Sequence, residues 1–173
     1  MKRIRFILIV SVFVFIILPA KCFSQQTHKP DWKAFRFLIG EWTGEGGGAQ
    51  GGTAFKMDLD DQVMIRNNWA EYPPANGRPA VSHSDLMIIF PENNSVKAIY
   101  FDNEGHVIHY TASFSSDSSN LYLTGDVIPS SPRFRFIYTK ISNDKLKATF
   151  EIAPPGKPED FSKYVEGVLK KKS

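Results

Sequence analysis

The sequence predicts an all-β protein, a ten-stranded antiparallel up-and-down β-barrel with a short N-terminal helix. From Gly40 onward, apolar and polar residues alternate with a period of two, which is typical of strands with one buried face. Turns rich in Gly, Pro, Asn and Asp separate these segments, and no connection is long enough for the crossover helices of a parallel sheet. Closing such a meander removes its exposed edge strands, and a two-layer β-sandwich is the alternative arrangement.

The alternating segments define ten strands, and a helical segment precedes them. This segment starts at Pro30 and stops before Gly40, and Trp32, Phe35 and either Leu38 or Ile39 fall at helical spacing along it. We expect it to form a short helix that caps one end of the barrel. The predicted strands are 41–48, 53–59, 63–72, 84–90, 96–102, 106–114, 121–126, 133–141, 146–152 and 162–170.

The first strand opens with a Gly-x-Trp-x-Gly-x-Gly run, formed by Gly40, Trp42, Gly44 and Gly46. In a small barrel such a tryptophan plugs the base. The glycines let the first strand bend sharply because they carry no Cβ. We therefore predict a structural role for these four residues.

The first 24 residues have the layout of a secretory signal peptide. A basic start is followed by the uncharged run 6–20, and Cys22 and Ser24 place small residues before a cut at Gln25. The uncharged run spans about 22 Å as a helix, short of the roughly 30 Å of a bilayer core, which favours cleavage over a retained membrane anchor. A lipoprotein is a further alternative, although Lys21 stands where a small residue is expected. The sequence thus predicts an exported protein, periplasmic or extracellular, with a single domain over residues 25–173.

Charge and cysteine content exclude several classes of protein. The chain has 21 Lys and Arg against 18 Asp and Glu, but four of the basic residues and none of the acidic ones lie in the predicted leader. The remaining domain therefore carries 17 basic against 18 acidic residues, which predicts no nucleic-acid partner and no stable membrane insertion after cleavage. The only cysteine, Cys22, also lies in the leader, so the domain has neither a disulfide nor a thiolate nucleophile.

Signals for catalysis and metal binding are weak. The histidines are His28, His83, His106 and His109. His106 and His109 point to opposite faces of one predicted strand, and His83 approaches His109 only if both face inward. No Gly-x-Ser-x-Gly motif occurs, and the glycine-rich run near residue 46 precedes a strand rather than a helix. We predict no metal, no cofactor and no catalytic residue, and an enzymatic role is the weaker expectation.

Aromatic residues and two strand arginines indicate a ligand pocket. A barrel of eight to ten strands either fills itself with side chains or keeps one small cavity, and apolar walls with a few polar groups suit a small amphipathic molecule. An inward arginine must be paired, by the protein or by an acidic ligand group, whereas outward arginines and a plain aromatic core are the alternative. The candidate ligand-binding residues are Arg66, Trp69, Tyr72, His83, Tyr100, His109, Arg135 and Tyr138.

The opening run after Leu38, the segment 99–105 with its Asp-x-x-Gly turn, and the closing segment 164–171 carry a family resemblance. They are similar to lipocalin-like bacterial proteins of the domain-of-unknown-function family numbered 1579. That resemblance implies a ten-stranded calycin-like barrel and no settled activity. More distantly, the opening resembles the haem-binding nitrobindin barrels, which ligate iron with a histidine near the C-terminal end. No histidine follows His109, so this resemblance implies the barrel without haem.

Three functions remain open at this point. The first is an exported β-barrel that binds a small hydrophobic or amphipathic ligand. The second is a small-molecule isomerase or hydrolase that uses His83 or His109 with an acid. The third is a ligand-free envelope interaction protein with a solid core. The direction in which Arg66, Arg135 and His109 point distinguishes among them.

Overall fold

The computed structural model describes residues 31–45, 50–75 and 77–173. The predicted signal peptide and Gly46 lie outside the described residues. Within the described ranges, every helix is too short or too polar to cross a lipid bilayer. The elements are a 3₁₀ helix Trp32–Leu38 and the strands β1 Gly40–Glu45, β2 Gln50–Asp58, β3 Val63–Tyr72, β4 Val81–Glu92, β5 Ser95–Asp102, β6 Val107–Phe114, β7 Asn120–Gly125, β8 Arg133–Lys140, β9 Lys145–Ala153 and β10 Ser162–Lys171.

The ten strands form one closed antiparallel barrel. Each strand pairs with its neighbours in the chain, and β1 also pairs with β10. At the closure, Trp42 of β1 lies opposite Thr53 of β2 on one side and Lys171 of β10 on the other. The prediction of an all-β, ten-stranded up-and-down barrel is confirmed, and the sandwich alternative is wrong.

Observed strand limits differ most from the predicted ones at β2 and β4. β2 starts three residues earlier than predicted because Gly51 and Gly52 pair with β3. β4 extends from Val81 to Glu92, beyond the predicted 84–90, because both of its ends pair with neighbouring strands. Glycine and serine have low strand propensity, but an available neighbouring backbone outweighs that preference.

The 3₁₀ helix covers one end of the barrel, which we call the closed end. Its three buried residues, Trp32, Phe35 and Leu38, recur every third position, as the three-residue turn of this helix requires. The Trp32 indole donates a hydrogen bond of 2.7 Å to the carbonyl of Asp61, and the Phe35 ring meets Phe114 edge-on at 4.8 Å. The predicted short cap is therefore present, and it is wound as a 3₁₀ helix.

The core next to the closed end is apolar and tightly buried. Trp42 is 1% exposed, and its indole donates a hydrogen bond of 2.7 Å to the carbonyl of Leu38. Gly40 beside it has φ +131°, and a Cβ there would lie 2.6 Å from the Lys171 side chain, so this position requires glycine. Gly44 has no such close neighbour. Other fully buried members of this layer are Leu38, Met64, Ile89, Leu121 and Leu146.

The β2–β3 turn at the closed end has an unusual backbone. Leu59, Asp60 and Asp61 all have left-handed φ angles, between 49° and 63°, although none of them is a glycine. The Asp58 carboxylate accepts a hydrogen bond of 2.8 Å from the Leu59 N–H and anchors the start of the turn. The turn also presents the Asp61 carbonyl to Trp32, so it holds the helix as well as joining two strands.

Candidate functional site

Burial of the inward-facing side chains falls from the closed end towards the opposite end, which we call the open end. At the open end β3 and β5 finish near Tyr72 and Asp102, and β8 starts near Arg133. The closed-end layer is completely buried, whereas the interior aromatic residues Phe134 and Phe150 are only half-buried. We call the less buried part of the interior, at the open end, the cup; the helix covers the opposite end.

Aromatic rings from four strands line this cup. Phe136 of β8 lies 5.9 Å from Tyr100 of β5, 5.8 Å from Tyr110 of β6 and 4.6 Å from Phe150 of β9, measured between ring centroids. Tyr138 stacks beside Phe136 at 6.4 Å. We call Tyr100, Tyr110, Phe136, Tyr138 and Phe150 the aromatic cluster. Its members reach across the barrel, so they form a wall around the interior rather than a surface patch.

A buried ion pair stands against this wall. The Arg66 guanidinium lies 2.5 Å from the Asp85 carboxylate, and the two side chains are 5% and 3% exposed. Asn68 donates a second hydrogen bond of 2.8 Å to Asp85. Arg66 also lies over the faces of Phe136 and Tyr138, 5.2 and 5.9 Å from their centroids. Pairing and cation–π contact together offset the cost of burying this charge.

Three buried polar atoms in the same region have no hydrogen-bond partner of good geometry within the described part of the chain. They are Nε of Arg66 and the hydroxyl oxygens of Tyr110 and Tyr138. Both tyrosines are 1% exposed, and Arg66 is 4% exposed. Buried polar groups in folded proteins are nearly always paired, so three unpaired atoms on neighbouring side chains are unusual and make this region the candidate site.

The tyrosines of this set are hydrogen-bond donors at physiological pH. Burial raises the pKa of Tyr138 to about 12, although the nearby Arg66 charge lowers it. Burial likewise raises the pKa of Tyr110 and of Tyr100. All three hydroxyl groups therefore keep their protons.

A chain of acidic and basic side chains runs from the cup to the rim of the open end. His83 contacts Asp85 at 3.3 Å through Nε2 and Glu104 at 3.1 Å through Nδ1. The Tyr100 hydroxyl lies 3.2 Å from His83 Nε2 and donates to the Asp102 carboxylate at 3.2 Å. These contacts couple the buried ion pair to groups at the surface.

Asp102 forms the second part of this rim. Its carboxylate contacts the His106 ring at 2.8 Å and accepts hydrogen bonds of 3.0 and 2.9 Å from the backbone N–H groups of Glu104 and His106. Burial raises the pKa of Asp102, but these hydrogen bonds outweigh it and hold the pKa below its usual value. Asp102 is therefore ionised, and the rim carries a fixed negative charge beside a histidine.

Four of the eight candidate residues from the sequence meet in the cup, and four lie elsewhere. Arg66, Tyr100 and Tyr138 face the interior, with His83 at the rim above them. The structure places Trp69 and Tyr72 in exposed positions, 44% and 47% exposed. His109 is exposed on the outer face, so it does not approach His83, and Arg135 pairs with Glu151 at 2.7 Å and stacks on Phe161 at 4.0 Å.

Strand geometry explains this division. Successive residues of a strand point to opposite faces, so Arg66 and Trp69, three residues apart, face opposite sides. The same holds for Arg135 and Tyr138 on β8. Tyr72 is in phase with Arg66, but it lies at the last position of β3, beyond the enclosed part of the barrel.

Sequence reasoning missed Asp85, Asn68 and Asp102. The inward position of Asp85 could have been predicted, because Asp85 continues the alternating inward series of Met87 and Ile89 on β4. When a carboxylate and an arginine each lie on the apolar, inward face of two adjacent strands, a buried ion pair between them is predicted. Nothing comparable marked Asp102, whose side chain is buried by the turn that follows it.

The described residues contain no cluster of metal ligands, and two surface clefts lie away from the buried ion pair. Among the described residues, no group of three or more His, Cys, Asp or Glu side chains is arranged to hold a metal ion. One cleft of about 400 Å³ lies at the open-end rim and is lined by residues that include Tyr72, Pro73 and Val81. Another of about 850 Å³ lies beside the 3₁₀ helix, near Arg36 and Lys171. Neither cleft contains the buried ion pair.

Comparison with known proteins does not assign the chain to a family. No family model matches it, and no curated protein matches it. The resemblance to the family numbered 1579 therefore stays a prediction.

Proposed function

We propose that this protein binds a small amphipathic molecule in the cup at the open end of the barrel. The observation that carries the proposal is the set of three buried polar atoms on Arg66, Tyr110 and Tyr138 that lack a partner in the described chain. A ligand that brings a polar atom to them removes a desolvation cost of about 1–3 kcal/mol for each unpaired group.

The apolar part of the ligand would pack on aromatic rings. Phe134 and Phe150 stack at 5.8 Å between centroids, and both are half-buried near the open end. Ligand pockets commonly combine a mainly apolar lining with a few fixed polar groups, and this cup has both. The side chain of His83 is 24% exposed and marks the entrance at the rim.

A neutral fluorescent probe tests this proposal. N-phenyl-1-naphthylamine gains fluorescence in apolar cavities, and we expect saturable enhancement with the purified protein. Ala70 lies in the inward phase of β3 near the open end, so Ala70→Trp narrows the cup and should weaken probe binding at least tenfold. Asn67→Trp adds the same ring to the outer face of the same strand and should leave binding unchanged.

Thermal denaturation of both variants first establishes that they are folded. Absence of saturable enhancement with the unaltered protein would contradict the proposal. Equal binding by the two folded tryptophan variants would place the probe outside the cup, and would contradict it equally.

We further propose that the protein is exported, with cleavage before Gln25. The support is the basic start, the uncharged run 6–20 and the small residues Cys22 and Ser24. Expression of the full chain in a bacterium should release protein whose N-terminal sequence begins at Gln25. An intact N-terminus would indicate a retained anchor, and a lipid-modified Cys22 would indicate a lipoprotein.

A second candidate function is hydrolysis or isomerisation by His83. The supporting observation is that His83 lies within 3.3 Å of two carboxylates and of the Tyr100 hydroxyl. Histidines oriented by carboxylates serve as general bases. However, both ring nitrogens of His83 are already engaged, so binding without chemistry is the stronger proposal. Hydrolysis of p-nitrophenyl butyrate that His83→Gln abolishes and His109→Gln preserves would favour the enzyme.

A further inference from the structure

The chemistry of the unpaired atoms specifies the polar end of the ligand, an inference that depends on the proposed binding function. The Arg66 Nε–H can only donate a hydrogen bond. The Tyr110 and Tyr138 hydroxyls keep their protons, because burial raises the pKa of each. Three donor hydrogens thus lie on neighbouring side chains in the interior. The hydroxyl oxygens can also accept, but a ligand that pairs with all three hydrogens must bring acceptor atoms.

The charge around these donors determines the charge of that acceptor group. Arg66 is already neutralised by Asp85 at 2.5 Å. The ionised Asp102 lies beyond Tyr100, and Glu104 contacts His83, so the cup and its rim hold three carboxylates against one guanidinium when the histidines are neutral. A ligand carboxylate would add a further negative charge without a free cation to pair with it, and burying an unpaired charge is far costlier than burying a neutral carbonyl.

We propose that the cup takes an uncharged molecule with an apolar, ring-sized body and a terminal carbonyl oxygen, such as a ketone or an ester. The carbonyl accepts hydrogen bonds from the Tyr110 and Tyr138 hydroxyls and from Arg66 Nε. The body packs against Phe136 and Phe150. A carbonyl oxygen has two lone pairs, which suits convergent donors from different strands.

Three naphthalene derivatives of nearly equal shape separate the possible headgroups. They are 2-acetylnaphthalene, a neutral acceptor; 2-isopropylnaphthalene, which has no acceptor; and 2-naphthoate, an anion. Isothermal titration at pH 7.5 should show that the ketone binds at least tenfold tighter than the hydrocarbon. The naphthoate should bind at least tenfold more weakly than the ketone.

Removing single tyrosine hydroxyl groups tests which of them contacts the carbonyl of the ligand. Tyr110→Phe and Tyr138→Phe remove only a hydroxyl that has no partner in the described chain, so both variants should fold. Each should lower the affinity for 2-acetylnaphthalene about three- to tenfold and leave the affinity for 2-isopropylnaphthalene unchanged. Tyr122 lies between the inward residues Leu121 and Leu123 and faces the outside, so Tyr122→Phe is the matched control.

The outcomes distinguish this inference from the binding proposal. Equal affinities for the ketone and the hydrocarbon would mean that the donors are satisfied by water alone, which overturns the headgroup assignment and preserves apolar binding. Tightest binding of the naphthoate would overturn the neutral-ligand assignment and indicate an anionic ligand. If none of the three compounds binds and the fluorescent probe also fails, the binding function itself is refuted.

Discussion

Arg66 and Asp85 show how a buried charge behaves when its partner is removed. Each side chain is at least 95% buried, and Asp85 also accepts one hydrogen bond from Asn68. Removing one member of such a pair leaves an uncompensated charge, whereas replacing both members with apolar groups is often close to neutral. The pair therefore contributes specificity to the interior more than net stability.

This reasoning predicts a strongly non-additive double-mutant cycle. Arg66→Met should lower the free energy of unfolding by about 3–5 kcal/mol because Asp85 loses its counter-charge. The double change Arg66→Met with Asp85→Leu should recover most of that loss. Urea denaturation of the two single variants and the double variant measures the coupling. If the double variant lost as much free energy of unfolding as the two single variants added together, Arg66 and Asp85 would not be energetically coupled.

Tyr138 gives a prediction for alkaline pH. In the unfolded chain a tyrosine ionises near pH 10, whereas burial raises the pKa of Tyr138 to about 12 in the folded protein. The folded state therefore holds a proton that the unfolded state loses. The contribution is complete below pH 10 and is lost as the pH rises towards 12, by up to about 1.4 kcal/mol per pH unit.

Urea denaturation at pH steps between 9 and 12 measures this slope. Tyr138→Phe should have a shallower decline than the unaltered protein, and Tyr122→Phe on the outer face serves as the control. If Tyr138→Phe declined as steeply as the control, burial of this hydroxyl would have no effect on stability.

At the level of whole elements, the strands were predictable and the face that each residue presents was only partly so. The period-two alternation located all ten strands, because one face of each is buried against a common interior. The sequence did not show which of the two alternating series of residues on a strand faces the interior. On β8, Arg135 and Tyr138 cannot both face inward, and the sequence alone does not say which series, Arg135 with Ile137 or Phe136 with Tyr138, is the interior one. The barrel settles this through contacts between strands that are distant in the chain.

The cup could not be predicted from the sequence, for a related reason. Its unpaired donors come from β3, β6 and β8, and each of these strands reads as an ordinary alternating segment. Only the closed ring brings Tyr110 within ring contact of Phe136. Asp85 was recoverable from the pattern of β4, but its pairing with Arg66 depends on the register between β3 and β4, in which Arg66 lies opposite Met87 and Asn68 opposite Asp85.

The β2–β3 turn provides a prediction at the scale of an element. Leu59 is 67% exposed and has φ 49°, a conformation that costs a residue with a Cβ about 1–2 kcal/mol. Leu59→Gly removes that strain, and the added freedom of the unfolded chain cancels part of the gain, so we expect a net stabilisation of about 0.5–1 kcal/mol. Chemical denaturation measures it.

Ser116 supplies the comparison for this substitution. It is exposed in the β6–β7 turn, and its φ is not among the left-handed values. Ser116→Gly should therefore lower stability slightly, because it adds freedom to the unfolded chain without relieving strain. If both glycine variants shifted stability in the same direction, left-handed strain at Leu59 would not be the cause.

For the whole molecule, ring closure protects every strand edge. β10 pairs with β9 along its length and with β1 at the seam, where Gly44 lies opposite Leu169. A chain that ends at Phe161 lacks β10 and exposes the edges of both neighbours, which are templates for association with other chains. We expect this chain to aggregate, as measured by light scattering and size-exclusion chromatography.

A chain that lacks only Ser173 keeps every described strand pair and should match the full chain in solubility and oligomeric state. Recovery of the chain ending at Phe161 as a soluble species with native circular dichroism would show that the nine remaining strands close without β10.

The seam has a consequence for the timing of folding. Thr43 of β1 and Lys170 of β10 are hydrogen-bonded partners 127 residues apart, so the first strand waits for nearly the whole polypeptide before it gains its second neighbour. Such distant pairing is slow, and it cannot be completed while the ribosome still holds the later segments. That delay would leave time for the proposed export before the barrel closes.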